Sequence, residues 1–389
     1  MRWLLLTDGL SPFEMGGMQK HSANLLRHLL KEGHFVSVAH CVTKWRKIEE
    51  SEVRKQLEIK SEEVCDIKQF VFPKTNRLPG HYIKESYLYS QKLFQYYSGQ
   101  QQTWDIVFAQ GFTGWKFIEE RKKNNWNVPV INHFHGLEMF QNAIGWRDKL
   151  QQYLLKSPVK WNVLNADATV SLGGRITDIL RGLGVSLDDI IHLPVGIDAS
   201  WFKDCTRSSS TQIRALFVGR FESRKGLKSL LHAFNEVSES HQVLSLTVVG
   251  NIPHSSRIPI EGVHYYGPIL DEREMIQVMD DHDVLIVPSV AEGMPTVILE
   301  AMARGMAIWC TPVGANEVMV DEVNGFVFKS HRSSDIRAGL QKLASTTHYQ
   351  LQAMGKGGYE KCKNAWSWPM LRTKFLQDIQ LFLEKRGVK

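Results

Sequence analysis

Two cations and two carboxylates in the C-terminal half of this 389-residue chain have the types and spacing to hold a phosphorylated, hydroxyl-rich ligand. Val218-Gly219-Arg220 closes a strand-like apolar run, and Lys225-Gly226 opens the helical pattern that follows. This puts two positive side chains beside the positive end of a helix, where a diphosphate would bind. Further on, the run Val284–Val287 ends at Pro288-Ser289, and the next loop and helix read Glu292-Gly293-Met294-Pro295-Thr296-Val297-Ile298-Leu299-Glu300. Pro295 suits the first turn of a helix, and the N–H groups between Glu292 and Val297 can face phosphate oxygens. Glu292 falls in the loop and Glu300 about one and a half turns after Pro295, so the pair can meet sugar and ribose hydroxyls.

The N-terminal half offers Gly16-Gly17 after the strand-like run 2–7, then a helical pattern from about Met18. Such a turn can present backbone N–H groups to an anion, and it can equally be an ordinary strand-to-helix connection. The dinucleotide fingerprint Gly-x-Gly-x-x-Gly is absent, which argues against a nicotinamide enzyme. His135, in Asn132-His133-Phe134-His135-Gly136, follows an apolar strand and reads either as a ligand-facing or as a packed histidine. Asp281-His282-Asp283 has the outline of an Asp-x-Asp metal motif but immediately precedes a strand, so no metal site is expected.

Taken together, these residues resemble the donor-site signature of the family 4 retaining glycosyltransferases of the GT-B fold (glycosyl transferases group 1). The resemblance runs over nearly the whole chain: Gly16-Gly17, His135, Pro194-Val195-Gly196-Ile197-Asp198, Arg220, Lys225, the Glu292 to Glu300 segment, and Trp366-Ser367-Trp368 before a last helix. It implies that Arg220 and Lys225 neutralise the diphosphate, Glu300 binds ribose hydroxyls and Glu292 a donor-sugar hydroxyl, making His135, Arg220, Lys225 and Glu292 the catalytic set. Gly16 and Gly17 would approach the phosphate from the other domain. Gly293, Met294, Pro295 and Thr296 would line the donor, the turn near Gly267 and Ile269 would hold the base, and Glu317 would stand behind the site. Two departures bear on donor preference: Gly250-Asn251-Ile252 lacks the family's second glycine, and Asn316 occupies a loop that often carries one.

The implied activity is transfer of a hexosyl group, with retention and without metal, from a UDP- or GDP-sugar to a glycan or lipid-linked acceptor in cell-surface polysaccharide or glycoconjugate biosynthesis. The nucleotide diphosphate-sugar is then a substrate, and no cofactor is expected. A nucleotide-sugar epimerase, a glycosyl phosphorylase or a non-enzymatic nucleotide-binding protein on the same scaffold are the competing readings, because fold alone does not decide function.

The elements that must position these residues follow from periodicity. Apolar runs at 2–7, 35–41, 106–109 and 130–132 alternate with helical patterns at 19–32 and 115–124, and a second series restarts at 214–219, with a helix at 227–238 and runs at 244–250, 264–266, 284–288 and 307–310. Alternation of this kind predicts parallel sheets covered by helices. The turn-rich stretch 194–211, with Ser208, Ser209 and Ser210, separates the halves. The expected fold is α/β, GT-B, with two Rossmann-like doubly wound domains facing an interdomain cleft. Residues 1–200 form an acceptor-binding domain, 201–365 a nucleotide-sugar donor domain, and an amphipathic closing helix within 366–389 crosses back to the first.

Composition sets the outer bounds. A 43% hydrophobic, 23% charged chain of this length supports two cores. A formal charge of +6 suits a small anionic ligand or lipid headgroup better than a nucleic-acid track. Cys41, Cys65, Cys205, Cys310 and Cys362 are scattered and odd in number, which predicts free thiols. No apolar run approaches the roughly 20 residues of a membrane span. The opening run is cut short by Asp8, which argues against a signal peptide and for a cytoplasmic protein. The stretch 74–102 mixes Lys74, Arg77, Lys84 and Lys92 with Tyr82, Tyr87, Tyr89, Phe94, Tyr96 and Tyr97. It reads either as a peripheral contact with the inner face of the membrane or as a solvated helix with its aromatic residues in the core.

Overall fold

Apolar strands alternating with amphipathic helices build two parallel sheets. The computed structural model describes all residues except 15, 43–45, 61–64, 76–78, 204–211, 239–242 and 388–389, so Arg77, Cys205 and the serine cluster lie outside the described residues. In the first sheet, β1 (Arg2–Leu6), β2 (Phe35–Val42), β3 (Cys65–Val71), β4 (Ile106–Gln110), β5 (Val130–His133), β6 (Ala168–Ser171) and β7 (Ile190–His192) stand in the order β3-β2-β1-β4-β5-β6-β7. In the second, β8 (Ile213–Val218), β9 (Leu244–Val249), β10 (Val263–Gly267), β11 (Val284–Val287), β12 (Ala307–Cys310) and β13 (Gly325–Val327) stand in the order β10-β9-β8-β11-β12-β13. β4, β5, β11 and β12 are buried along their whole length, which is why they are unbroken apolar runs.

Both sheets are wound alike. The chain enters at a central strand (β1, β8), travels outward, then returns to the other side of that strand (β4, β11). The loops that leave such a switch point diverge and open a crevice at the carboxyl ends of the strands. In the first lobe these loops carry Asp8 and Gly111, and in the second Gly219 and Pro288.

The chain returns to the first lobe at Trp366-Ser367-Trp368. Ile197 N–H donates to Trp366 O (2.9 Å) and Trp368 N–H to Ile197 O (3.2 Å). The closing helix, Trp368–Lys385, starts with Pro369 in its first turn. Its buried Trp368, Phe375, Ile379 and Phe382 join Trp3 and Phe108 of the first sheet in one core. A separate core crosses the two lobes, taking Phe134, Leu172 and Ile176 from the first and Met294, Ile298 and Ala315 from the second. The described cysteines Cys41, Cys65, Cys310 and Cys362 are free and buried.

The segment 74–102 does not present an aromatic surface. In its helix, His81–Tyr97, Tyr89, Leu93 and Tyr97 are buried, and Phe94 packs edge-on against Phe117 (5.2 Å). Only Tyr82 and Tyr96 are exposed among its aromatic residues, so the core has taken the apolar face. No described helix is long and apolar enough to cross a membrane.

Trp368 is 1% exposed and stacks on His28 with centroids 4.6 Å apart. Trp368→Ala is expected to cost about 3–5 kcal/mol, read as a lower urea midpoint by far-UV circular dichroism. An unchanged midpoint would show that the closing helix does not hold the first lobe.

Candidate active site

At the carboxyl ends of β8 and β11 the two loops lean on each other. Gly226 has φ +72°, and a Cβ there would stand 2.0 Å from Pro288 O, so the turn after Lys225 requires glycine. Val290 N–H donates to Arg224 O (2.7 Å), fixing the same approach. This places Lys225 over Glu292: Lys225 Nζ donates to Glu292 Oε1 at 2.6 Å, and Ser289 Oγ donates to the same oxygen at 2.7 Å. Glu292 Oε2 faces Arg224 at 3.4 Å. Burial works against the Arg224 charge, but Glu292, Glu138 and Glu222 outweigh it and hold the guanidinium above its usual pKa. Glu292 is only 5% exposed, so it is a buried carboxylate with both oxygens engaged.

The first lobe closes over this segment. Gln141 Nε2 donates to Glu292 O (2.6 Å), while Glu292 N–H donates to Gln141 Oε1 (3.3 Å). Gly293 lies against the backbone of His135, where a Cβ would meet His135 O at 1.8 Å. Val195 N–H donates to Met294 Sδ at 3.2 Å. Pro295 caps the helix Thr296–Ala303 rather than beginning it. Across the cleft, Gly16 caps the helix Gly17–Lys31, and a Cβ at Gly17 would stand 3.3 Å from Thr296 Oγ1. Two helix N-termini therefore meet, one from each lobe, and their N–H groups favour an anion between them.

Glu300, on the fifth residue of its helix, accepts from Lys20 Nζ of the first lobe at 2.9 Å, and Glu272 accepts from the same ammonium at 3.1 Å. Burial works against the Lys20 charge, but Glu300 and Glu272 outweigh it and keep the ammonium above its usual pKa. Glu272 opens the helix just beyond Gly267 and the half-buried Ile269, so the turn after β10 comes to the side of Glu300.

The arrangement thus has a cation over a buried carboxylate, paired helix N-termini, and a second carboxylate beside a turn. A family model described as Glycosyltransferase Family 4 matches residues 15–201, and one described as Glycosyl transferases group 1 matches residues 212–346. The chain belongs to family 4 of the glycosyltransferases. It is similar to an uncharacterized glycosyltransferase of Methanocaldococcus jannaschii, at 21% identity over 94% of this chain and 95% of that one. Its fold is similar to that of sucrose-phosphate synthase from Thermosynechococcus elongatus, with TM-score 0.78, 18% identity and 100% of both chains covered. It is also similar to Anabaena HepE in complex with UDP-glucose, with TM-score 0.70, 13% identity, and 98% of this chain and 100% of that one covered.

In this family 4 glycosyltransferase, Arg220 does not join the Lys225 cluster. It is largely exposed and pairs with Glu222 at 3.1 Å, and Glu222 in turn pairs with Arg224 at 2.9 Å. The second cation at Glu292 is Arg224, next in sequence to Lys225 and overlooked in the motif. Sequence reasoning also passed over Ser289, Gln141 and Lys20. Glu317 forms a two-pronged pair with Arg175 of the first lobe (2.8 and 3.0 Å), so it ties the lobes together. Asp283 is consumed by Arg214, and His282 bonds Val278 O and Thr247 Oγ1. All three residues of Asp281-His282-Asp283 lie at the amino end of β11, away from the cleft.

His135 Nε2–H donates to Gln110 Oε1 at 2.6 Å, and the His135 ring lies 4.0 Å from that of His133 and 4.8 Å from that of His21. The three bring ring nitrogens within 4.8 Å of one another. The His133 and His135 rings are tilted by 32° to each other. Burial, then the neighbouring rings, pushes His135 well below the ordinary histidine pKa, and burial takes His21 down to about 3. All three imidazoles are neutral at pH 7. His135 alone of the three is part-exposed and reaches the cleft, where it can hydrogen-bond without bringing a charge. Asp8, at the end of β1, is raised to about 6 by burial, only partly offset by its bond from Gln19.

Because His21 titrates near 6.5 unfolded and near 3 folded, the unfolded chain binds the extra proton between those values. Stability is therefore full above pH 6.5 and falls as pH drops, by about 1.4 kcal/mol per pH unit for one such histidine. Urea unfolding between pH 7 and 5 is expected to show this decline, with the slope reduced by one proton in His21→Phe. Equal slopes in the two proteins would contradict a buried neutral His21.

Proposed function

We propose that this glycosyltransferase takes a sugar from a UDP- or GDP-sugar and transfers it, with retention and without a metal, to a glycan or lipid-linked acceptor in cell-surface polysaccharide or glycoconjugate synthesis. The observation that carries the reading is Lys225 held over the buried Glu292, beside the helix N-terminus that faces Gly17. The likeness to HepE, in complex with UDP-glucose, supports the donor class.

On this reading the diphosphate lies between the two helix starts, with Lys225 on the oxygens that gain charge and Arg220 closing from the cleft mouth. Preorganised donors of this kind stabilise the leaving group without reorganisation. Glu292 accepts from a sugar hydroxyl and Glu300 from the ribose. Glu292 accepts from Lys225 and Ser289 and faces Arg224, and its remaining lone pairs can accept a sugar hydroxyl. The bond from the anomeric carbon to the phosphate oxygen breaks. The acceptor hydroxyl oxygen bonds to that carbon on the same face, and its proton passes to the departing phosphate. Neutral His135 holds a sugar hydroxyl.

The test is nucleotide release from a panel of UDP- and GDP-sugars, with and without acceptor glycans. Lys225→Ala is expected to lower kcat about a hundredfold or more, roughly 3 kcal/mol of leaving-group stabilisation, while Glu300→Gln chiefly raises the donor KM. Near-normal kinetics in both variants would remove the assignment.

A further inference from the structure

The helix Gly145–Asn165 carries a surface that donor chemistry does not use. At about 100° per residue, Trp146, Leu150, Tyr153 and Leu164 share one face, and they are 70%, 43%, 75% and 40% exposed. Lys149, Lys156 and Lys160 are exposed along one flank of that stripe, and the Arg147 guanidinium lies 5.3 Å from the Trp146 ring. The helix's one acidic residue, Asp148, faces the other way and accepts from Ser223 Oγ at 3.0 Å. The inner face is firmly mounted through buried Val159, Asn162 and Val163. Trp146, Leu150 and Tyr153 are therefore an apolar cluster over the first turns of the helix that packing within the chain leaves open, separated by Ser157 and Lys160 from Leu164, and such clusters mark interaction sites.

We propose that this outer face docks on an anionic lipid surface. Trp and Tyr are the side chains that settle at the headgroup level, and a lysine flank of one sign complements anionic headgroups. The cluster occupies the turns of this 21-residue helix ahead of Pro158, and that end would lie in the interface. Docking also orients the site. Asp148 touches the Ser223–Lys225 turn, and Gln152 donates to Glu138 O (2.8 Å) beside Gln141, which clamps Glu292. The cleft thus stands next to the docked helix, and the acceptor class narrows to a glycan carried on a membrane lipid. That last step rests on the transfer reading above.

The experiment is co-sedimentation of the full chain with phosphatidylcholine vesicles, with and without phosphatidylglycerol, alongside donor turnover in solution. Wild type is expected to bind the phosphatidylglycerol vesicles. Trp146→Glu with Tyr153→Glu is expected to weaken that binding at least about tenfold. Charge reversal at Lys149, Lys156 and Lys160 is expected to cost roughly fivefold per lysine and to erase the dependence on phosphatidylglycerol. Donor turnover in solution stays unchanged in both variants, showing that they are folded. Wild type left in the supernatant overturns the proposal. So does a dimer that Trp146→Glu with Tyr153→Glu dissolves while vesicles capture nothing, since the stripe then joins two copies. Vesicle binding without turnover of any donor sustains docking and removes the transfer reading instead.

Discussion

A carboxylate taken out of water must be matched by charge and hydrogen bonds or it unfolds its surroundings. Glu292 meets that demand with Lys225, Arg224 and Ser289, and the demand fixes much of the cleft. The loops after β8 and β11 have to touch, which is why Gly226 sits against Pro288 O. The backbone of Glu292 is then held from the opposite lobe by Gln141. On the transfer reading, hydroxyl recognition, phosphate recognition and the seam between lobes are thus parts of a single local arrangement.

The second carboxylate works differently. Glu300 is met by Lys20 from the first lobe, an ammonium it shares with Glu272, and Lys20 Nζ also lies 4.8 Å from the Trp201 ring. On the transfer reading, a ribose at Glu300 exchanges a lobe-to-lobe ion pair for hydroxyl bonds, so nucleotide binding is coupled to the grip between lobes. Arg175 with Glu317, and the apolar core shared by both lobes, keep them in register while that exchange occurs.

What the sequence reveals depends on how local the cause is. β11 and β12 are legible residue for residue at 284–287 and 307–310 because strands buried on both faces must be apolar throughout. The edge strand β3 alternates buried and exposed residues, and β13 is three residues long, so neither stands out in the chain. Lys225 and Glu292 are legible because strand-end loops at a switch point are where chemistry collects. Lys20 and Gln141 are not, since a lysine on a first helix and a glutamine in a loop acquire meaning only when the lobes meet. Arg220 stands in the same legible loop, but its pairing with Glu222 instead of Glu292 could not be read from the sequence. The aromatic residues of 81–97 left two readings open because spacing alone does not say whether a face looks to core or solvent, and the burial of Tyr89, Leu93 and Tyr97 matches the core reading.

The most direct test is a crystal structure with UDP or GDP soaked in. The account predicts the diphosphate between Gly17 and the Thr296 helix start with Lys225 Nζ on a terminal phosphate oxygen, and Glu300 on the ribose in place of its bond to Lys20. A nucleotide bound outside the cleft, or inside it with Lys20 still on Glu300 and Lys225 touching no phosphate, would contradict it.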